Sequence, residues 1–331
     1  VPDNVEAAYF VPHKGSASMS ELRETFLFYS AVDDPEPWRA ALKAELPDAV
    51  FHVFPHLPDP AAVTVAIVWS PPEGFFARFN NLRLVVNLGV GVDALVGRGD
   101  LPDVPIVRLS DPGMVAMMTS YVLFAVIRYA RDIDKFEAAQ CAGEWLNITQ
   151  RPLSSIKVGL LGLGELGSAA AQALAGVGFE VVGWSRGPKT LPGIRCVHGM
   201  DALDRIIAET EILVIMLPLT PETNGLMNEA RLRTMRPGAK LINVARGAIV
   251  DEDALTAALQ DGHLGGATLD VFVKEPLPAD SPLWRMPNVL ITPHKASAPV
   301  PEAAAKVVAE SLRRMRRGEP PLYLVDPQRG Y

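Results

Sequence analysis

The stretch KVGLLGLGELG, Lys157 to Gly167, decides the fold. An apolar run passes into glycines spaced G-x-G-x-x-G, at Gly162, Gly164 and Gly167, and the SAAAQALAGVG that follows is rich in helix formers. Strand, turn and helix in that order are the context in which such glycines bind a dinucleotide instead of merely reversing the chain. Gly162 permits the tight turn, Gly164 lets the backbone approach a pyrophosphate, and Gly167 lets the helix pack on the sheet. The helix N-terminus would then present free amides and a partial positive charge to the phosphates.

The next strand-like run, EVVGWS, ends in Ser185 and Arg186, with Lys189 just beyond. A carboxylate about 20 residues after the glycines usually holds the adenosine ribose and selects NAD. A hydroxyl and two cations in its place suit a 2′-phosphate, which the planar guanidinium fork of an arginine matches well. The expected cofactor is therefore NADP(H), with NAD(H) possible.

Outward from this unit, strand-like and helix-like segments alternate in the manner of an α/β fold with parallel sheets. Before it come TFLFYS, AVFHVF, VTVAIVW and LRLVVNLG, bounded by Pro, Gly or Asn, with a helical WRAALKAEL after the first. One long helix is expected over about Met114 to Ala142, its apolar face including Met118, Tyr121, Val122, Ala125 and Tyr129. After it come EVVGW, ILVIMLP, AKLINVA, GATLDVF and NVLITPH, apolar throughout as strands covered on both faces should be. A last helix is expected over about Pro301 to Arg317. Residues before Ser20 show no periodicity and read as an extension.

With 331 residues, the chain is too long for one ordinary core, so two domains are expected. A net charge of −7 argues against nucleic acid as a partner. The basic RRMRRG at Arg313 to Gly318 reads as a helix C-terminus closed by its glycine. The uncharged, largely apolar stretch Met114 to Ile127 is short for a bilayer span, and no signal-peptide pattern opens the sequence. Cys141 and Cys196 offer neither a disulfide framework nor a zinc spacing, which points to a reducing cytoplasm. His52 and His56 lack a third ligand nearby in sequence, so no metal is expected.

Three later stretches join the fingerprint: INVARGAIVDEDAL from Ile242, TLDVFVKEPLP from Thr268 and ITPHKA from Ile291. With WSPPEG at Trp69, NLGVGVDAL at Asn87, MLPLTPETNG and DSPLWRMPNV, the chain from about Phe26 onward resembles the D-2-hydroxyacid dehydrogenases. Within them it is most similar to the glyoxylate/hydroxypyruvate reductase A branch. The resemblance implies two doubly wound parallel-sheet lobes, a Rossmann cofactor domain inserted into a flavodoxin-like substrate domain. The substrate domain would comprise residues 21–118 and 297–331, the cofactor domain 119–296, and the extension 1–20. It also implies a homodimer, and NADPH-dependent reduction of glyoxylate and hydroxypyruvate to glycolate and D-glycerate. A reductase of another 2-keto acid, or a nucleotide-sensing member without catalysis, would carry the same motifs.

Residue by residue, the resemblance makes Arg246 the cation that contacts the substrate carboxylate and keto oxygen, and His294 the acid that protonates that oxygen. Glu275 would hold the imidazole and sustain its charged form. The cofactor site would include Glu165 and Leu166 between the glycines, then Leu217, Pro218 and Thr223. Val244, Ala245 and Arg246 would join it, as would His294 and Asp270, the last orienting the nicotinamide carboxamide. Backbone amides at Val90 and Gly91 would take the substrate carboxylate, and Trp69 and Trp284 would wall the pocket. Trp145 falls where a partner subunit would reach in. Lys295, where relatives often have an apolar residue, would either repel charge on His294 or point to solvent.

Overall fold

The computed structural model describes residues 23–326, so the expected extension at 1–20 and the end of the C-terminal tail lie outside the described residues. The chain divides into two compact units, Val1–Met114 with Ala298–Tyr331, and Val115–Ser297. The first contains β1 (Thr25–Tyr29), α1 (Pro35–Glu45), β2 (Val50–Val53), β3 (Val65–Val68), β4 (Leu84–Asn87) and β5 (Ile106–Arg108). The second is entered by α2 (Pro112–Ala130), then α3 (Ile133–Ala142), β6 (Lys157–Leu161), α4 (Glu165–Val177), β7 (Glu180–Ser185) and β8 (Arg195–His198). It continues through α5 (Met200–Glu209), β9 (Ile212–Ile215), α6 (Glu229–Thr234), β10 (Lys240–Asn243), α7 (Glu252–Gln260), β11 (Gly266–Leu269) and β12 (Val289–Ile291). Finally α8 (Pro301–Arg316) returns the chain to the first unit.

The first sheet has the order β2-β1-β3-β4-β5 with every pair parallel, the flavodoxin-like arrangement. Alternate residues of its strands face opposite sides. Leu27, Ala66 and Val68 join Phe75, Phe76 and Phe79 in one cluster, while Phe28 stacks near Trp38 of α1 at 6.0 Å. α1 packs on α8, and the arginines at the end of α8 are paired with carboxylates. Arg316 reaches the buried Glu24 at 3.1 Å, Arg313 faces Glu45 and Glu310, and Arg317 faces Glu310 and Glu319. Gly318 ends the helix at a φ of 75°. The basic cluster is thus a helix terminus, as its sequence suggested.

The second sheet, in the order β12-β11-β10-β9-β6-β7-β8, is parallel throughout. Leu161, Leu213, Ile215 and Leu241 enter one core cluster, whereas Val158, Leu160, Ile212, Val214 and Ile242 enter another on the opposite face. Burial on both faces is why these strands are apolar without alternation. Strand order reverses at β6, with β7 on one side and β9 on the other, and ligands of such sheets bind beyond the carboxyl ends of the strands there.

One expectation needs correction. The long helix is two helices: α2 ends at Ala130, and Asp132 takes a left-handed φ of 53° before α3 begins. Aspartate is among the few side chains that enter that region at modest cost, and nothing in the apolar periodicity marks it. By length and composition α2, 19 residues long with an 18-residue stretch of mean hydropathy 1.4, could cross a membrane. Its Met118, Val122, Ala125 and Val126 instead lie buried in one cluster with Val158, Leu160 and Leu174. The strands β5 and β8 sit at the edges of their sheets; short and interrupted by charge, they carry no apolar run that would announce them.

Candidate active site

The fingerprint glycines have three different surroundings. Gly162 has a φ of 106°, and a Cβ there would stand 2.5 Å from the Met216 carbonyl oxygen. At Gly167 a Cβ would lie 2.0 Å from the Gly162 carbonyl oxygen, so only glycine lets α4 sit on the turn. At Gly164, by contrast, nothing lies within 4 Å. Gly164 is the N-cap of α4 and, having no side chain, makes no side-chain capping bond to the first turn, which begins at Glu165 and Leu166. An open backbone beside an uncapped helix N-terminus suits a pyrophosphate.

At the end of β7, Ser185 donates its hydroxyl hydrogen to the Gly187 carbonyl at 2.8 Å, which shapes the turn carrying Arg186. Lys189 donates to the carbonyl of Leu163, inside the glycine turn, so its ammonium lies at the fingerprint itself. Arg186 is exposed. Glu222 is held below its ordinary pKa first by a hydrogen bond from Thr220 and last by the charge of Arg186, which brings the loop after β9 within electrostatic reach of that cation. In that loop Thr223 donates to the Pro218 carbonyl at 2.7 Å and accepts from the Thr220 amide at 2.8 Å. Leu217 is buried and Pro218 half-buried beside it.

Farther along the same sheet edge, β10 ends at Asn243, which is 1% exposed and ties the next turn together. Its Nδ2 donates to the Arg246 carbonyl at 3.0 Å, and its Oδ1 accepts from the Ala245 amide at 3.1 Å. Val244 and Ala245 are buried, Arg246 half-buried. A Cβ at Gly247 would fall 1.9 Å from the Phe272 carbonyl carbon, so the Arg246 turn is pressed against the segment after β11. The sequence reading missed Asn243; a buried amide between an apolar strand and ARG is the signal that could have found it.

That segment carries Glu275, and the segment after β12 carries His294. Their side chains meet, His294 Nδ1 to Glu275 Oε2, at 2.9 Å. The other Glu275 oxygen accepts from the Phe272 amide at 3.0 Å. Burial pushes the Glu275 carboxyl up, but the His294 hydrogen bond, the Phe272 amide and the charges of His294 and Arg246 outweigh it and hold it below its ordinary pKa. Asp270, 1% exposed, does not face solvent; its carboxylate accepts from Thr292 Oγ1, the Lys295 amide and the Ala296 amide at 2.6, 2.7 and 2.9 Å. Lys295 itself is exposed.

The remaining expected residues are scattered. Trp69, in the first unit, lies against Gly89, where a Cβ would be 2.7 Å from the indole. The adjoining turn at Val90 and Gly91 is tied by Asn87, whose Nδ2 donates to the Gly89 and Gly91 carbonyls at 3.0 and 2.8 Å. Trp284, in the second unit, is half out of the protein at 51% and donates its indole hydrogen to Pro278. Trp145 is 99% exposed.

Residues 123–296 match the family described as D-isomer specific 2-hydroxyacid dehydrogenase, NAD binding domain. The glyoxylate/hydroxypyruvate reductase A of Serratia proteamaculans is 39% identical over 311 residues, 92% of this chain and 99% of that protein. A D-isomer specific 2-hydroxyacid dehydrogenase from Xanthobacter autotrophicus Py2, crystallised with NADPH and MES, is 56% identical with a TM-score of 0.89, covering 93% of this chain and 100% of that one. An NADPH-dependent glyoxylate/hydroxypyruvate reductase from Sinorhizobium meliloti, crystallised with NADP and sulfate, is 33% identical with a TM-score of 0.88 and the same coverage.

Proposed function

Because the chain belongs to the D-isomer specific 2-hydroxyacid dehydrogenase family, we propose that it reduces small 2-keto acids with NADPH, glyoxylate to glycolate and hydroxypyruvate to D-glycerate. The observation that carries this reading is the 2.9 Å His294–Glu275 pair, standing at the carboxyl ends of strands in the sheet that also bears the open glycine turn.

When bound, NADPH supplies the hydride. His294, with Nδ1 engaged by Glu275, delivers its proton from Nε2 to the keto oxygen as negative charge develops there. Glu275 remains the anion that orients the ring and offsets its charge. Arg246 draws the substrate carboxylate and polarises the carbonyl. Trp69, Trp284 and the amides of Val90 and Gly91 are proposed to serve the substrate. Arg186, with Ser185 and Lys189, favours the phosphorylated cofactor, and Val244, Ala245, Leu217, Pro218 and Thr223 are proposed to contact it.

We further propose a homodimer in the cytoplasm. Phe124, Ile133 and Trp145 are 52%, 40% and 99% exposed on or just after α2 and α3, apolar side chains that a second copy would cover. Light scattering should return the dimer mass at micromolar concentration, and a monomer mass would refute this.

The deciding test is turnover. Loss of NADPH absorbance with glyoxylate and with hydroxypyruvate should far exceed that with NADH. His294→Gln should lower kcat by about 10²–10⁴-fold, the usual range for a general acid, with NADPH binding retained. No turnover of any 2-keto acid, or wild-type turnover by His294→Gln, would overturn the reading.

A further inference from the structure

Tyr121, on α2, lies far in sequence from every other residue at the site, yet its hydroxyl stands 2.5 Å from Thr292 Oγ1. Thr292 Oγ1 is in turn 2.6 Å from Asp270 Oδ1. The direction of this chain follows from its donors. A carboxylate only accepts, and a threonine hydroxyl has one hydrogen. The Thr292 hydrogen therefore goes to Asp270, and Tyr121 gives its own to Thr292. The tyrosine remains the donor at all working pH values, since burial, together with the nearby Asp270 charge, pushes its pKa up to about 12.

Asp270 spends its remaining capacity on the same loop. It accepts the amides of Lys295 and Ala296 on its side chain, and that of His294 on its backbone carbonyl at 2.8 Å. His294 is thus flanked on both sides by residues gripped by one buried carboxylate. It also has a left-handed φ of 54°. A non-glycine residue in that region is strained and persists only where its surroundings over-determine it.

We infer that Tyr121 and Thr292 are positioning residues for His294: through Asp270 they hold the histidine loop so that the imidazole meets Glu275 and substrate together. The inference rests on the assignment of His294 as the acid. Tyr121 and Thr292 act through Asp270 rather than on the reacting atoms. Their effect is on where the proton is delivered from, so it falls on the chemical step rather than on cofactor affinity.

Tyr121→Phe and Thr292→Val each remove one hydroxyl from the chain with little change in shape. Misplacing a reacting group by about 1 Å costs on the order of 10²-fold, so kcat should fall by about tenfold to a hundredfold. The NADPH dissociation constant should stay at the wild-type value. The solvent deuterium isotope effect on kcat should rise, because proton delivery becomes the slow event; a mere loss of stability would leave it unmoved. Thr292→Ser, which restores the hydroxyl, should recover most of kcat. Because both residues act through one chain, the double variant should lose little more than Thr292→Val alone.

Wild-type kcat in both single variants, or an unchanged isotope effect, would overturn the inference. So would a loss of NADPH affinity that accounts for the lowered rate. If Thr292→Val fails to fold, Tyr121→Phe carries the same test from the other end of the chain. His294→Gln separates the two levels. If it turns over substrate normally, the acid assignment falls; if it is crippled while Tyr121→Phe and Thr292→Val are not, only the positioning inference falls.

Discussion

Replacing Gly164 and Gly167 separately with alanine should divide cofactor binding from folding. At Gly164 the backbone is extended, φ −67° and ψ −165°, and a Cβ would meet nothing within 4 Å. Alanine is a poorer helix cap than glycine, so Gly164→Ala should cost at most about 1 kcal/mol, a shift of a few degrees in Tm. The methyl group would, however, stand where a pyrophosphate must approach the amides. Losing one hydrogen bond to a charged group is worth about 1.5–3 kcal/mol, so NADPH affinity should weaken by about 10- to 150-fold. Gly167→Ala should behave differently, because its methyl would lie 2.0 Å from the Gly162 carbonyl oxygen. Either α4 or the turn must move, and such overpacking costs about 1–3 kcal/mol or more in folding. Calorimetric titration with NADPH and a thermal melt without it measure the two effects. Unchanged NADPH affinity in Gly164→Ala, or equal loss of stability in both variants, would refute the reasoning.

Arg186→Ala should lose about 1–3 kcal/mol of NADPH binding and little of NADH binding, which parallel titrations would show; equal losses would remove Arg186 from the 2′-phosphate. Glu275 has its folded pKa depressed, so the stability from its pairing is present above its unfolded value, about 4.3, and is lost as pH falls through the folded one. Acid unfolding of Glu275→Gln, followed by circular dichroism, should therefore have a shallower slope below that value than wild type. Arg98 holds the Trp69 loop: it donates to the Pro71 and Pro72 carbonyls at 2.8 and 2.7 Å, pairs with Asp100 at 2.8 Å, and follows a Ser70 φ of 44°. Arg98→Met should raise KM for glyoxylate more than it lowers kcat, as steady-state kinetics would record; an unchanged KM would separate that loop from the substrate.

Much of the site was legible from sequence because its signals are local. The glycine spacing, the apolar run before it and the helix formers after it are all short-range, and each constrains the backbone where it occurs. The strands of the second sheet were legible because burial on both faces removes polar residues from them. The arginines ending α8 could be read as a helix terminus because a dipole and a capping glycine act within one turn. Arg246, Glu275 and His294 could be named from their motifs, but the 2.9 Å pairing of two of them comes from neighbouring strand ends, β11 and β12, and is invisible in either motif alone. The helix break at Asp132 turns on one left-handed residue that leaves the apolar periodicity unmarked. Tyr121 read as one more apolar-face residue, and its hydroxyl finds Thr292 across 171 positions. Hydrophobic period and turn chemistry are properties of the chain a few residues at a time. Which buried donor meets which acceptor depends on how whole elements pack, and only the tertiary structure decides that.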